Sequence, residues 1–222
     1  MITPFRICFV CTGNICRSPM AESVFRAHLA EDGLGGLVEV DSAGTGGWHE
    51  GEGADPRTVT VLRTHGYEST HTARQFHASW FGHLDLVIAL DSGHLRALRR
   101  MAPTRQDAAK VHLLRSYATG TADASDITDR PDTIDVVDSL GSLDFLDSVD
   151  AMDELDVPDP YYGDLTDFEA CLEMVESASE GLLTAVRTEV AARAVTPARV
   201  PEHDRDHHRA PALERPQGKE GA

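Results

Sequence analysis

Cys11 and Arg17 stand six positions apart, with Thr12, Gly13, Asn14, Ile15 and Cys16 between them and Ser18-Pro19 directly after. These types at this spacing could bind an oxyanion and attack it. A loop between a strand and a helix can turn its backbone N–H groups inward, and the helix N-terminus adds partial positive charge at the same point. Gly13 and Asn14 are the types that tolerate the left-handed backbone such a curl needs. Arg17 offers a planar fork that grips two phosphate oxygens. A cysteine at the bottom of that positive cup is favoured as the thiolate nucleophile. A buried cysteine is more often a small packing residue. Packing alone, however, calls for neither the arginine, nor the Gly-Asn pair, nor the Ser-Pro helix start. The pattern G-x-x-x-x-G-K-[ST] of nucleotide-binding loops is absent.

The flanking elements must hold this loop in place. The apolar run FRICFV reads as a buried parallel strand before it. After it, Ser18 is the expected N-cap and Pro19 the first helical residue, with Met20, Val24, Phe25, His28 and Leu29 at helical spacing and Gly33 as the stop. Glu22 falls one place too late for a capping box. LVEVD reads as a second strand. Asp55-Pro56 opens a second helix that Gly66 ends. LDLVIALD is a third strand, followed by a helix over about 93–101 and a fourth strand at KVHLL. A long amphipathic helix begins near 165, with Phe168, Leu172, Val175, Leu182, Val186 and Val190 near one face. The alternation predicts an α/β fold: a single domain with a four-stranded parallel sheet and helices on both faces, over residues 1–195.

Two segments fall outside this pattern. Residues 196–222 are rich in proline and charge and poor in large apolar types, so a disordered tail is expected. Residues from about 119 to 157 carry Asp at every third position, interrupted at Gly141, with apolar residues just before them from Ile134 to Leu155. A period of three slips about 60° per triplet around an α-helix, so no single face persists. A solvated low-complexity insertion is the expectation, with a segment that folds on a partner as the alternative.

The chain has 222 residues, 41% of them hydrophobic, and a net charge of −17. That charge repels nucleic acid and anionic membranes, so neither is an expected partner. No segment approaches the roughly eighteen apolar residues of a membrane span, and the N-terminal apolar run is too short for a signal peptide. The cytoplasm is the expected compartment, although unconventional export would leave no mark in the sequence. Cys8, Cys11, Cys16 and Cys171 match neither a disulfide framework nor a zinc site, so no metal is expected.

CTGNICRSPMAE at 11–22 together with DPYYGD at 159–164 resembles the low molecular weight protein-tyrosine phosphatases. The likeness runs over about 5–118 and 157–193, and DSAGTGGWHEG, HTARQ and LDLVIALD fall where that family places matching segments. The resemblance implies a metal-independent enzyme without cofactors that forms a phosphocysteine. It makes Cys11 the nucleophile, Arg17 the phosphoryl ligand and Asp159 the general acid. Thr12, Gly13, Asn14, Ile15, Cys16, Arg17 and Ser18 would form the phosphate loop, with the Ser18 hydroxyl on the thiolate. Asn14, Ser42 and His71 would support the loop, and Trp48, Tyr161 and Tyr162 would line the cleft. Phosphotyrosine-bearing proteins are the implied partners, with a cognate tyrosine kinase beside them, and a monomer is expected. The family also pairs the cysteines that correspond to Cys11 and Cys16, which makes Cys16 a redox partner.

The sequence departs from the family in two places. Where the family often carries asparagine a few residues after Asp91, this chain reads Ser92-Gly93-His94; and the acidic repeat precedes Asp159. Arsenate reductases of the same fold relay electrons through further cysteines, and arginine phosphatases carry threonine where Ile15 stands. A non-catalytic phosphate-binding module would be expected to lose the nucleophile or the acid, yet both Cys11 and Asp159 are present.

Overall fold

The computed structural model describes residues 3–118 and 154–195. The sheet is formed by β1 (Phe5–Cys11), β2 (Val38–Gly44), β3 (Leu86–Ala89) and β4 (Val111–Leu113), all parallel, in the order β2-β1-β3-β4. Five α-helices are described: α1 (Arg17–Glu31), α2 (Pro56–Thr64), α3 (Ser92–Met101), α4 (Arg105–Ala109) and α5 (Leu165–Val195). The chain winds from β1 to one edge and then returns to the other side of β1. That reversal opens a crevice beyond the carboxyl ends of β1 and β3, where α/β sheets bind ligands.

Both faces of the central strand are covered. Phe5, Ile7 and Phe9 join a core with α1, α2 and α5, while Cys8 and Val10 point to a second core with α3 and the segment around Phe76 and Phe81. This alternation at a spacing of two explains why the strand is almost uninterruptedly apolar. On α5, Phe168, Leu172, Val175, Leu182 and Val186 are buried against the first core, as the spacing predicts.

The helix starts differ in their chemistry. Asp55 caps α2, its carboxylate accepting from Arg57 N at 2.8 Å, and Asp91 caps α3 through His94 N at 2.7 Å. At α5, Asp164 accepts from Thr166 N while Asp167 reaches back to Asp164 N, a reciprocal arrangement that satisfies two helix-end donors. The expected Ser18 cap is not made. Cys16 occupies the cap position of α1 without a side-chain hydrogen bond, and Ser18 lies inside the helix with its hydroxyl turned to the loop. The short helix α4, capped by Thr104, has too few turns to show a periodicity in sequence.

The acidic repeat over 119–153 and the tail from 196 lie outside the described residues. Residues 154–157, counted with the insertion on sequence grounds, belong to the packed fold. Val157 is fully buried and its N–H donates to Leu90 O at 2.8 Å. Asp156 accepts from Ser92 N at 2.6 Å, and Arg115 donates to the carbonyls of Glu154 and Asp156. Among the described residues, no helix is long and apolar enough to cross a membrane.

Gly181 lies in the middle of α5 with the Tyr117 carbonyl oxygen against it, where a Cβ would sit. Replacing an interior helical glycine by alanine ordinarily stabilises by about 0.5–1 kcal/mol. Here Gly181→Ala is expected to destabilise by about 1–3 kcal/mol through overpacking, read as a fall in the urea unfolding midpoint.

Candidate active site

The loop from Cys11 to Ser18 closes the carboxyl end of β1, and its shape is set by one residue. Asn14 is the sole described non-glycine residue with positive φ, at 57°. Its side chain donates to Ser18 Oγ and Ser42 Oγ, both at 2.9 Å, and accepts from Arg74 N at 3.0 Å. His71 Nε2 donates to its carbonyl at 2.7 Å. Ser42, His71 and Asn14 are thus in contact with one another through Asn14. Gly44, at the end of β2, fits because a Cβ there would lie 2.7 Å from Thr12 O, inside van der Waals contact.

Glu22 completes this support. It is buried on α1, accepts from Ser42 Oγ at 2.5 Å, pairs with Arg26, and has His71 Nδ1 3.7 Å away. Burial alone would push its carboxyl up, but the nearby His71 ring, the hydrogen bond from Ser42 and the charge of Arg26 outweigh burial and hold it low. The failed capping-box reading hid this role. The available signal was position, because Ser18, Glu22, Phe25 and Leu29 share one face of α1.

Cys11 lies at the floor of a cleft of about 360 Å³, with Sγ 3.0 Å from Ser18 Oγ. Arg17 is almost fully buried. Its Nη1 donates to Asp91 Oδ2 at 2.8 Å and Val157 O at 3.1 Å, and its Nη2 donates to Asp159 Oδ2 at 2.7 Å and Thr12 Oγ1 at 3.4 Å. Burial would raise Asp91, but the His94 ring beside it, the hydrogen bond from the His94 backbone N–H and the charge of Arg17 prevail and hold its carboxyl well below the usual carboxylate range. His94 occupies the departure from the family pattern. Its Nε2 lies 2.8 Å from Thr12 Oγ1, and its Nδ1 lies 2.9 Å from Asp91 Oδ1, a charge contact too poorly aligned to count as a hydrogen bond.

Asp159 sits at the cleft mouth, partly exposed, and Tyr161 N donates to its Oδ1 at 3.2 Å. Trp48 and Tyr162 stand out into solvent, and Tyr161 meets Tyr162 edge-on at 5.0 Å between ring centroids. Together with Gly13, Ile15, Cys16 and His49 they line the cleft. His49 was missed in sequence, although it neighbours Trp48; Glu52 holds its Nδ1 at 2.8 Å.

Cys16 is buried and its thiol is pushed up to about 12, chiefly by burial and then by the charges of Asp55, Cys11 and Asp159. Cys171, on α5, is likewise pushed up to about 12 by burial. It lies near enough to the site to feel Arg17, Cys11 and Asp159, which its distance in sequence concealed.

The model of the low molecular weight phosphotyrosine protein phosphatase family matches residues 6–136 and 137–192. The low molecular weight protein-tyrosine-phosphatase of Streptomyces coelicolor is 60% identical over 190 residues, which cover 86% of this chain and 98% of that protein. The low molecular weight protein-tyrosine phosphatase A of Mycobacterium bovis is 42% identical over 82% of this chain and 91% of its own length. Among solved structures, a protein tyrosine phosphatase from Entamoeba histolytica superposes with a TM-score of 0.66 at 28% identity, covering 83% of this chain and 98% of that one. YfkJ from Bacillus subtilis superposes with a TM-score of 0.64 at 31% identity, covering 84% and 97%. The match extends over both the loop that carries Cys11 and the helix that follows Asp159, so the chain belongs to the low molecular weight phosphotyrosine protein phosphatase family.

Proposed function

We propose that this protein hydrolyses phosphotyrosine on proteins through a phosphocysteine on Cys11. The observation that carries the reading is the Cys11 thiol at the cleft floor, 3.0 Å from Ser18 Oγ, with Arg17 and Asp159 above the same loop. As a thiolate, Cys11 Sγ can only accept, so Ser18 donates to it. The sulfur attacks phosphorus, the bond to the aryl oxygen breaks, and Asp159 delivers a proton to that oxygen. Water then attacks the phosphocysteine, Asp159 takes its proton, the S–P bond breaks and phosphate leaves. Arg17 and the loop N–H groups hold the equatorial oxygens through both steps. Nη2 of Arg17 leaves Asp159 for the phosphoryl group, while Nη1 keeps Asp91 and the Val157 carbonyl.

The walls favour an aryl phosphate. Trp48, Tyr161 and Tyr162 give flat surfaces to a phenyl ring, and Ile15 puts an apolar group where a hydroxyl could orient phosphoarginine. Cys16 adds a redox response. Peroxide oxidises the Cys11 thiolate to a sulfenic acid and is reduced to water; the Cys16 thiol then condenses with it, releasing water and forming a disulfide. The raised Cys16 thiol stays protonated at neutral pH, so it does not compete with Cys11 as nucleophile.

Turnover of p-nitrophenyl phosphate and of phosphotyrosine peptides in the presence of a chelator, with arsenate reduction measured beside it, tests the activity. Wild type should hydrolyse both phosphates and reduce no arsenate. Cys11→Ser should be folded and inactive; turnover above background would remove Cys11 as nucleophile. Asp159→Asn should lower kcat/KM for phenyl phosphate by about 10²–10⁴-fold and for p-nitrophenyl phosphate far less, because a good leaving group needs no proton. After peroxide and then dithiothreitol, wild type should recover most of its activity and Cys16→Ser much less. Equal recovery would return Cys16 to a packing role.

A further inference from the structure

We propose that Arg57 is a positioning residue for proton transfer, a clasp that fixes the turn bearing Asp159 and ties it to the phosphate loop. The inference rests on Asp159 being the general acid. Arg57 opens α2, far in sequence from that turn, yet its guanidinium reaches across to it. Nη1 donates to Gly163 O at 2.9 Å and Nη2 to Tyr161 O at 3.0 Å. These two carbonyls bracket the end of a 3-10 turn over Pro160–Tyr162. Tyr161 is the pivot. Its carbonyl is held by Arg57, and its N–H donates to Asp159 Oδ1 at 3.2 Å. Fixing one side of this residue therefore fixes the donor that aims the acid.

The other side of the clasp is equally defined. Asp55 accepts from Arg57 Nε at 3.0 Å and from Nη2 at 2.8 Å, so the fork is oriented before it meets the turn. The N–H of Asp55 donates to Ile15 O at 2.8 Å, inside the phosphate loop. The guanidinium also lies over the buried Phe168 ring, 4.5 Å from its centroid, and 5.9 Å from the Tyr161 centroid. A planar fork is required for this set of acceptors, because two carbonyls and a carboxylate are served from three sides at once. A lysine in its place would carry the charge but not the geometry. The path from Ile15 through Asp55, Arg57 and Tyr161 to Asp159 sets the acid's position relative to the loop that holds the phosphoryl group. Misplacement of about 1 Å at such a group is enough to cost rate.

The experiment compares kcat/KM for phenyl phosphate and p-nitrophenyl phosphate in wild type, Arg57→Ala, Arg57→Lys, Asp159→Asn and the double variant Arg57→Ala/Asp159→Asn. Inhibition by inorganic phosphate and thermal melting are measured on the same samples. Arg57→Ala should lower kcat/KM for phenyl phosphate by about tenfold or more and for p-nitrophenyl phosphate by less than about threefold. Inhibition by phosphate should change by less than about twofold. In the Asp159→Asn background the same substitution should add less than about twofold on phenyl phosphate, since the acid it positions is gone. Should Arg57→Ala melt too low to assay, Arg57→Lys, which keeps the charge but not the planar fork, decides: it should show the same leaving-group bias. Equal losses on both substrates, or multiplicative losses in the double variant, would overturn the clasp while leaving Asp159 as the acid. If Asp159→Asn itself shows no leaving-group bias, the acid assignment fails and the positioning role fails with it.

Discussion

The loop from Cys11 to Ser18 keeps its shape because it is anchored at one residue, Asn14. A left-handed backbone at a non-glycine residue costs roughly 1 kcal/mol or more, and it persists because its surroundings over-determine it. Partners from α1, from the end of β2 and from the segment over His71–Arg74 converge on that one residue, three on its side-chain amide and His71 on its main-chain carbonyl. Glu22 holds two of those partners from behind. A backbone held by so many partners has little conformational freedom left to lose.

The buried guanidinium of Arg17 is the second constraint, and it follows from the first. A charge removed from water must be paired and hydrogen-bonded, or its burial costs several kcal/mol. Arg17 meets that demand with the carboxylates of Asp91 and Asp159 and the carbonyl of Val157. Asp91 and Val157 supply a fixed back wall. Asp159, at the mouth, is the more exposed of its two carboxylate partners. His94 presses on the same wall through both Asp91 and Thr12, so α3 and the phosphate loop share one polar contact.

What was legible in the sequence was local. The helix opened by Asp55-Pro56, the apolar strands and the Cys11–Arg17 spacing each express a rule that acts within a few residues, and each is found in the fold. Ser18 reads locally as a helix cap, and only the family resemblance put its hydroxyl on the Cys11 sulfur, where the structure has it. Glu22, His94, Arg57 and the nearness of Cys171 to the site were illegible. Their contacts join residues tens to more than a hundred positions apart, such as Arg57 with Gly163, and no periodicity records a pairing across that distance. The family motif carried Asp159 and the tyrosines into the reading, where local pattern alone would have left a short polar loop.

Arg115 lies outside the cleft, yet its reach touches the wall behind Arg17. Its guanidinium donates to the carbonyls of Glu154 and Asp156, and the next carbonyl along the chain, that of Val157, accepts from Arg17. Two neighbouring stretches of backbone are thus gripped by two different arginines, one from the end of the sheet and one from the loop. Removing the outer grip would leave two carbonyls without their charged donor and let the strip of backbone shift, and the inner arginine would feel that shift through a single peptide group. A substitution at Arg115 would therefore be read at the floor of the cleft without altering any residue that lines it.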